Sequence, residues 1–216
     1  YYFVRKLDNL IYGYKVVEYE EVDSTMITLK ELVISGCDIN TAVWAKKQRI
    51  GRGRHGREWS SPEGNLYLSF LRNSENNKSK NIFAPVFIVA IVIAHSRKDL
   101  SCNKIVPNIK WPNDILIKKA KVAGILIENI ALSKSPNILN IGFGINIVSN
   151  PTNTLYPSTN LKAEGIETNS KEFIKAFFKN LKSFEEIYFR EGINEIYRIW
   201  GLLGHKIGEP ISVKIG

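Results

Sequence analysis

Strand-like runs joined by short turns, with helical runs between some of them, determine the architecture expected for this chain. The strand-like runs are residues 15–22, 41–47, 65–71, 109–117, 122–130 and 138–147, and residues 209–216 begin a further one. The helical runs are residues 24–33, 82–94, 170–188 and 193–200. This order predicts an α+β fold, a mixed β-sheet flanked by helices that pack mainly on one side. With 216 residues and 44% hydrophobic content, the chain can bury a substantial core.

The longest apolar run does not predict a membrane span. Residues 82–94 (IFAPVFIVAIVIA) are interrupted by Pro85 and fall short of the roughly 20 residues that a span needs. We interpret the run as a buried helix, with a buried pair of strands as the alternative.

Cys37 and Cys102 lie far apart without C-x-x-C spacing, so we expect neither a disulfide framework nor a zinc site. This cysteine usage suits a reducing, cytoplasmic environment.

The formal net charge of +9 suits nucleic acid, an acidic surface or a phosphorylated ligand, and charge alone does not choose among them. A good part of the excess lies in residues 171–182 (KEFIKAFFKNLK). There the lysines face away from the apolar side chains, as on the solvated side of an ordinary amphipathic helix. We therefore interpret this segment as a surface helix and not as a binding site.

Residues 51–59 (GRGRHGREW) combine glycines and arginines in a way that indicates anion binding. Glycines let the backbone approach a ligand closely, and Arg52, Arg54 and Arg57 offer fork-shaped donors for carboxylate or phosphate. The segment also satisfies G-x-G-x-x-G, but the turn-forming residues after it argue against a dinucleotide-binding helix. A solvated basic loop that touches nucleic acid is the alternative. Because like charges repel one another, we expect the loop to be mobile until an anion binds.

Two later segments also contain residues that could form part of a binding site. KWPND, residues 110–114, ends a strand and is followed by Lys121 and by GILIE at residues 124–128. A strand, a turn and a returning strand can bring Lys110 and Lys121 near one site, and a plain hairpin with exposed lysines is the alternative. GFGIN, residues 142–146, places glycines inside a strong strand. Glycine weakens a strand interior unless something approaches closely, so either a flat ligand lies against this strand or the strand bulges.

Four segments of the chain, in their order and at their separations, resemble the signature blocks of biotin protein ligases. They are GRGRHGREW, KWPND, KVAGILIE and GFGIN. The resemblance has clear motifs from about residue 23 to residue 146 and continues more weakly to residue 216. It implies the catalytic-domain fold of biotin and lipoate ligases, which is similar to that of class II aminoacyl-tRNA synthetases. Lipoate ligases share the lysine after the Asn-Asp turn, but the glycine and arginine loop favours biotin. Met26 departs from the pattern, since asparagine often follows Asp-Ser-Thr.

The resemblance also implies site residues. Those that match the biotin pocket are Ser24, Thr25, Met26, Gln48, Gly142 and Gly144, with hydrogen bonds to the ureido ring from Ser24, Thr25 and Gln48. Those that match the glycine and arginine loop and the adenylate contacts are Gly51, Arg52, Gly53, Arg54, Arg57, Trp59 and Asn146. Lys121, Arg54 and Lys110 are the expected catalytic residues. Lys121 matches the lysine closest to the reacting atoms, while Lys110 either supports the phosphate side or is structural. No residue is assigned to a metal ion.

The implied reaction has two steps. Biotin carboxylate attacks the α-phosphate of ATP to give biotinyl-adenylate and pyrophosphate, and a lysine of a carrier protein then attacks this mixed anhydride. The implied substrates are biotin and ATP, with Mg²⁺ accompanying ATP. The implied partner is a biotin carboxyl carrier protein or domain of a biotin-dependent carboxylase, and a homodimer is left open. The rival enzyme is a lipoate or octanoate ligase or transferase of the same fold.

Domain organisation is expected to be simple. We expect residues 1–200 to form the catalytic domain and residues 201–216 to begin a small C-terminal barrel that looks incomplete. Only about 14 residues precede the first predicted strand, too few for the helix-turn-helix domain with which some biotin ligases bind DNA. We therefore expect neither DNA binding nor membrane association, and a basic nucleic-acid-binding module is the rival from another class.

Overall fold

The computed structural model describes residues 4–73, 84–100, 107–131, 138–204 and 208. Its strands are β1 (Val4–Ile11), β2 (Tyr14–Val22), β3 (Thr41–Gln48), β4 (Leu66–Asn73), β5 (Asn108–Lys110), β6 (Asp114–Ile117), β7 (Ala120–Ile130) and β8 (Ile138–Ile145). Its helices are α1 (Thr25–Ile34), α2 (Ala84–Leu100), α3 (Ser170–Glu191) and α4 (Ile193–Leu203), and Arg54–Gly56 forms a short 3-10 turn.

These strands form one sheet in the order β1-β2-β3-β4-β8-β7-β6-β5. Strands β2 and β3 pair in parallel and are joined by the crossover helix α1, whereas the other pairs among the described strands are antiparallel. The mixed sheet of an α+β fold, predicted from the sequence, is therefore confirmed.

The described helices cover the two faces of the sheet unequally. Helices α2, α3 and α4 contact one another on one face, over a large core that includes Phe70, Phe143 and Phe177. Helix α1 packs on the other face, where a smaller core includes Leu29 and Leu71. Because α1 contacts β3, β4 and β8, most of β6 and β7 stays uncovered by helices on that face. This uncovered part of the sheet holds the cavity described below.

Helix α3 has the amphipathic character expected of residues 171–182. The side chain of Asn169 accepts a hydrogen bond from the backbone N–H of Glu172 at 3.1 Å and caps the helix. Gly192, at φ 83°, ends it. Phe173 and Phe177 are buried, while the lysines of the segment are exposed. The prediction of a solvated basic face is therefore confirmed.

Some elements differ from the prediction. Strand β1 is not predicted by the sequence pattern, because an edge strand pairs on one side only and does not require an apolar stripe on both faces. Residues 109–117 form two strands instead of one, since residues 111–113 turn the chain around Pro112. The backbone of KWPND therefore forms the turn of a hairpin between β5 and β6, as the hairpin alternative predicts.

The apolar run forms the buried part of α2, as predicted, from Ala84 onward. None of the helices in the described ranges has the length and apolar composition needed to cross a membrane. Helix α4 continues to Leu203, beyond the expected end at residue 200. The strand expected at residues 209–216 and the position of Cys102 lie outside the described residues. The division into a catalytic domain and a small barrel stays a prediction.

Candidate functional site

A cavity of about 520 Å³ opens on the sheet face that carries α1. This volume lies in the range that small-molecule ligands occupy. Its floor includes Gly124 and Leu126 of β7 and Gly142 and Gly144 of β8. They share one face because Gly124 pairs with Gly144 and Leu126 with Gly142 across the two strands. Residues 52–59 and the start of α1 enclose the space above this floor.

Most of the residues predicted for a site are brought together in this cavity. Those that line it are Ser24, Thr25, Met26, Gln48, Arg52, Gly53, Arg54, Arg57, Trp59, Lys110, Lys121, Gly142 and Gly144. Gly51 and Asn146 are not among the residues that line the cavity. A Cβ at Gly51 would overlap the carbonyl oxygen of Trp59, and the buried Asn146 amide donates to the carbonyl oxygen of Thr159 at 3.0 Å. Gly51 therefore permits the close approach of the Trp59 backbone, and Asn146 is bonded to the backbone of Thr159. Their role as ligand contacts stays a prediction.

A hydrogen-bonded chain forms one end of the cavity. Thr25 donates to Gln48 Oε1 from its backbone N–H at 2.9 Å and from its hydroxyl at 3.2 Å. The hydroxyls of Thr25 and Ser69 are 2.7 Å apart. Gln48 Nε2 donates to the hydroxyl of Ser61 at 2.9 Å, which in turn donates to the carbonyl oxygen of Trp59 at 2.8 Å. These bonds fix the orientation of the Gln48 amide, so that donors and acceptors face the cavity in a defined arrangement.

Two side chains of the protein account for the glycines of β8. A Cβ on Gly142 would lie 2.7 Å from Met26 Cγ, and a Cβ on Gly144 would lie 2.9 Å from Cζ2 of the Trp59 ring. Strand β8 keeps continuous register with β4 and β7 through both positions, so the alternative of a bulge in this strand is wrong. The flat group that lies against this strand is the indole of Trp59 itself. A ligand on the same floor stays a prediction.

Residues 51–59, called the glycine–arginine hairpin below, fold back on themselves beside the cavity. The backbone N–H of Trp59 donates to Gly51 at 2.9 Å, and that of Gly53 donates to Arg57 at 2.7 Å. The 3-10 turn closes the tip, where Gly56 adopts φ 70°. The segment is therefore a narrow two-stranded arm whose arginines project to either side.

Arginines anchor the hairpin to the sheet. Arg52 contacts the Glu128 carboxylate of β7 through Nη2 at 2.8 Å and Nη1 at 3.3 Å. Arg54 Nη1 donates to Asn113 Oδ1 at 3.0 Å, in the turn between β5 and β6. These contacts offset the repulsion among the arginines within the protein. The expected mobility of the loop stays a prediction.

Lysines from β5 and β7 reach the other end of the cavity. Lys121 Nζ lies 2.7 Å from Asp114 Oδ1 on β6 and 5.2 Å from the centre of the Trp59 ring. Lys110 Nζ lies 4.9 Å from the centre of the Tyr156 ring. The β5–β6 hairpin and β7 therefore bring both lysines to one cavity. An anion there would meet ammonium groups already oriented by a carboxylate or an aromatic ring.

Several residues that shape this site are not among the predicted ones. Asn113, Asp114 and Glu128 belong to the KWPND and GILIE blocks, so the motifs contained a signal for them. Ser69 and Tyr156 carry no local signal, because only strand pairing and a distant loop bring them to the site. Within the portion of the chain that the structure describes, no three His, Cys, Asp or Glu side chains converge to hold a metal ion.

Comparisons with known proteins agree with this geometry. Residues 19–146 match the model of the biotin/lipoate A/B protein ligase family. The chain is 30% identical over 176 residues to the bifunctional ligase/repressor BirA of Escherichia coli (strain K12), covering 80% of this chain and 54% of that protein. It is 28% identical over 181 residues to the biotin–[acetyl-CoA-carboxylase] ligase of Paracoccus denitrificans, covering 81% of this chain and 75% of that protein. The chain thus spans about half the length of the first relative.

Solved structures share the fold. The biotin protein ligase from Aquifex aeolicus in complex with biotin and ATP matches with a TM-score of 0.77 at 29% identity, covering 90% of this chain and 80% of that chain. The biotin protein ligase from Leishmania major in complex with biotinyl-5-AMP matches with a TM-score of 0.74 at 24% identity, covering 93% and 84% respectively.

Proposed function

We propose, because this chain belongs to the biotin/lipoate A/B protein ligase family, that it is an ATP-dependent biotin protein ligase. It would form biotinyl-adenylate and transfer biotin to a lysine of a biotin carboxyl carrier protein or domain. The observation that carries the proposal is a single cavity with a hydrogen-bonding end at Thr25 and Gln48 and a cationic end at Lys110 and Lys121. The Aquifex aeolicus relative, solved with biotin and ATP, supports the same pair of substrates.

The hydrogen-bonding end suits the ureido ring of biotin. This ring carries two N–H donors and a carbonyl acceptor, and the Thr25 hydroxyl and Gln48 amide offer groups of both kinds. Met26 packs against Gly142 beside them and gives the pocket an apolar wall. A polar ring edge and an apolar ring face would therefore both find complementary surfaces.

The cationic end suits the first chemical step. An oxygen of the biotin carboxylate forms a bond to the α-phosphorus, and the bond from that phosphorus to the bridging oxygen of pyrophosphate breaks. At 4 Å two unit negative charges repel by about 4 kcal/mol at an effective dielectric of 20. Lys121, with smaller contributions from Lys110 and Arg54, would offset this repulsion and the charge that develops in the transition state.

The second step requires positioning and enclosure more than acid–base catalysis. A neutral lysine amine of the carrier attacks the acyl carbon, the bond from that carbon to the phosphate oxygen of AMP breaks, and the amine nitrogen gives up one proton to solvent. Holding the amine close to the anhydride raises the effective concentration of the two groups. The glycine–arginine hairpin would keep water and unrelated amines away from the adenylate until the carrier arrives.

Mg²⁺ would enter with ATP. Asp114, a carboxylate in the cavity, is bonded to Lys121, and no metal-binding cluster occurs over the described ranges. The residues that the structure describes therefore do not fit a resident ion, and the phosphates of ATP would supply most of its ligands. The roles proposed for Lys121, Lys110 and Arg54 do not depend on the ion.

Calorimetry with biotin and with lipoate, each in the presence of ATP, tests the proposed substrate. We expect biotin to bind at least about tenfold more tightly, a difference of about 1.4 kcal/mol. Tighter binding of lipoate would assign the chain to the lipoate branch of the family. Binding of neither acid, with a gel shift of random DNA duplex at physiological salt, would favour the nucleic-acid module.

Gly144→Ala is expected to weaken biotin binding by roughly 10- to 100-fold, because the added methyl group overlaps the rigid ring of Trp59. Gly142→Ala is the matched control. Its methyl group meets the flexible end of Met26, which can move aside, so the loss of affinity should be smaller. Dissociation constants and melting temperatures of both variants are measured. Equal affinities in both variants would contradict the role proposed for Trp59.

Other features of the biology stay predictions. The partner is proposed to be a carrier protein of a biotin-dependent carboxylase, as the name of the Paracoccus denitrificans relative suggests for that protein. We also propose a homodimer, the absence of DNA binding, a cytoplasmic location and a domain division at residue 200. Sedimentation of the chain with and without a purified carrier domain would test the carrier association and the homodimer directly.

A further inference from the structure

Arg52 lines the cavity, but its guanidinium is bonded to a residue that does not. Two of its N–H groups face the two oxygens of the Glu128 carboxylate, at 2.8 and 3.3 Å. This fork-to-fork arrangement adds geometric specificity to the ion pair. The side chains of Arg52 and Glu128 are 43% and 31% exposed, so water screens the pair only in part. The guanidinium of Arg52 is therefore bonded to strand β7 of the sheet in this structure.

Glu128 lies at the far end of β7 from the cationic end of the cavity. It lies seven positions beyond Lys121, which corresponds to about 23 Å along a strand. Across the β7–β8 ladder Glu128 pairs with Asn140, whose side-chain amide donates to the carbonyl oxygen of Met26 at 2.8 Å. The Arg52–Glu128 pair is thus close to the start of α1, at the end of the cavity that Thr25 and Met26 form.

The opposite side of the hairpin has its own anchor. Arg54 bonds Asn113, whose side-chain amide donates to the carbonyl oxygen of Ile125 at 2.9 Å. Backbone hydrogen bonds between the two arms of the hairpin join the anchors into one unit. The hairpin is therefore bonded to the protein at both ends of the cavity, through Arg52 and through Arg54. It can open only when one of these two contacts breaks.

We propose that the Arg52–Glu128 ion pair is a clasp that holds the glycine–arginine hairpin shut over the ring-binding end of the cavity, with Glu128 as its positioning residue. Arg52 then retains the adenylate by closing the cavity and not by contacting the carboxylate or phosphate. This differs from the role that family resemblance assigns to Arg52. The effect on adenylate retention rests on the proposed function, whereas the closure of the hairpin does not.

Limited digestion with trypsin tests the closure without any substrate. Trypsin cuts after arginine, and Arg54 and Arg57 lie at the tip of the hairpin. Glu128→Gln keeps the shape of the side chain but removes its charge. We expect cleavage at the hairpin, followed by mass spectrometry, to become roughly three- to tenfold faster. Glu195→Gln is the matched control, since it breaks a similar Arg198–Glu195 pair on α4, and its hairpin should be cut at the parent rate.

A charge swap separates the clasp from a general loss of stability. In Arg52→Glu/Glu128→Arg the partners are exchanged, and cleavage after Arg57, a site present in every variant, should return to within about twofold of the parent, while each single reversal is cut fast there. Equal cleavage rates for Glu128→Gln and Glu195→Gln would overturn the clasp. A swap that is cut as fast as the single reversals would overturn it as well.

The enzymatic arm measures retention. Biotin-dependent exchange between pyrophosphate and ATP reports adenylate formation, and biotin on serum albumin reports adenylate that escapes. For Glu128→Gln we expect exchange within about threefold of the parent and albumin labelling roughly three- to tenfold higher. Loss of exchange with an unchanged cleavage rate would place Arg52 and Glu128 at the reacting centre and overturn the clasp. Absence of exchange in the parent would instead reject the proposed function, and the digestion result would stand independently.

Discussion

Lys121→Ala is expected to slow biotinyl-adenylate formation by roughly 100- to 1,000-fold while the protein stays folded, because one well-placed cation contributes about 3 to 4 kcal/mol in such a site. The structure adds a second cause. Lys121 is 2.7 Å from Asp114, so its removal leaves an unpaired carboxylate where two anions must meet. Exchange of labelled pyrophosphate into ATP measures the rate, and the melting temperature reports the fold.

The control variants separate these causes. Lys121→Ala/Asp114→Asn should recover part of the lost rate, because it removes the unpaired negative charge. Lys110→Ala should lose less activity than Lys121→Ala, and Lys118→Ala should behave like the parent, since Lys118 is exposed and bonds Glu164 at 3.0 Å. A larger loss for Lys110→Ala than for Lys121→Ala would show that Lys110, and not Lys121, is the lysine closest to the reacting atoms.

Arg54→Gly is expected to form biotinyl-adenylate but to release it, so that lysines of bystander proteins become biotinylated. Arg54 ties the tip of the hairpin to Asn113 at 3.0 Å and lines the cavity. Each charge-assisted hydrogen bond that is lost costs roughly 1.5 to 3 kcal/mol, which corresponds to roughly 10- to 150-fold faster escape. The variant is incubated with biotin, ATP and serum albumin, and the albumin is probed with labelled streptavidin.

Asn113→Ala is the matched variant for this experiment. It removes the protein partner of Arg54 but leaves the guanidinium free to bind a ligand, so its leakage should fall between those of the parent and Arg54→Gly. Equal, near-zero labelling of albumin by the parent and Arg54→Gly, with adenylate synthesis intact, would leave Arg54 without a role in enclosure.

The element pattern was largely predictable because periodicity and turn residues act locally. The buried helix from Ala84, the basic face of α3 and the strands on either side of the hairpin follow from such local signals. The sequence pattern does not predict strand β1, because an edge strand has a weak pattern. The pattern predicts one strand over residues 109–117, because apolar residues occur on both sides of residues 111–113. The structure has two strands there, joined by a turn at these three residues.

The candidate site was predictable as a set of blocks but not as a set of contacts. Motif order indicated that the glycine–arginine hairpin, KWPND and GFGIN belong to one site, and the cavity is lined by residues from all three. The pairs Arg52–Glu128 and Lys121–Asp114 were not predictable, since nothing in the sequence says which carboxylate faces which cation. The glycines of β8 suggested a flat ligand, whereas the nearest flat group is the ring of Trp59.

By itself, then, the sequence determined the types and order of most elements and the family to which the motifs belong, because those properties depend on residues that are neighbours along the chain. Only the tertiary structure decided that Gly124 faces Gly144 and that Glu128 points toward the hairpin. Strand register sets which side chains share a face, and a shift by one residue would turn each of them to the other side of the sheet. The hairpin finds its partners on β7 and in the β5–β6 turn because the sheet order, which no local pattern encodes, brings those segments beneath it.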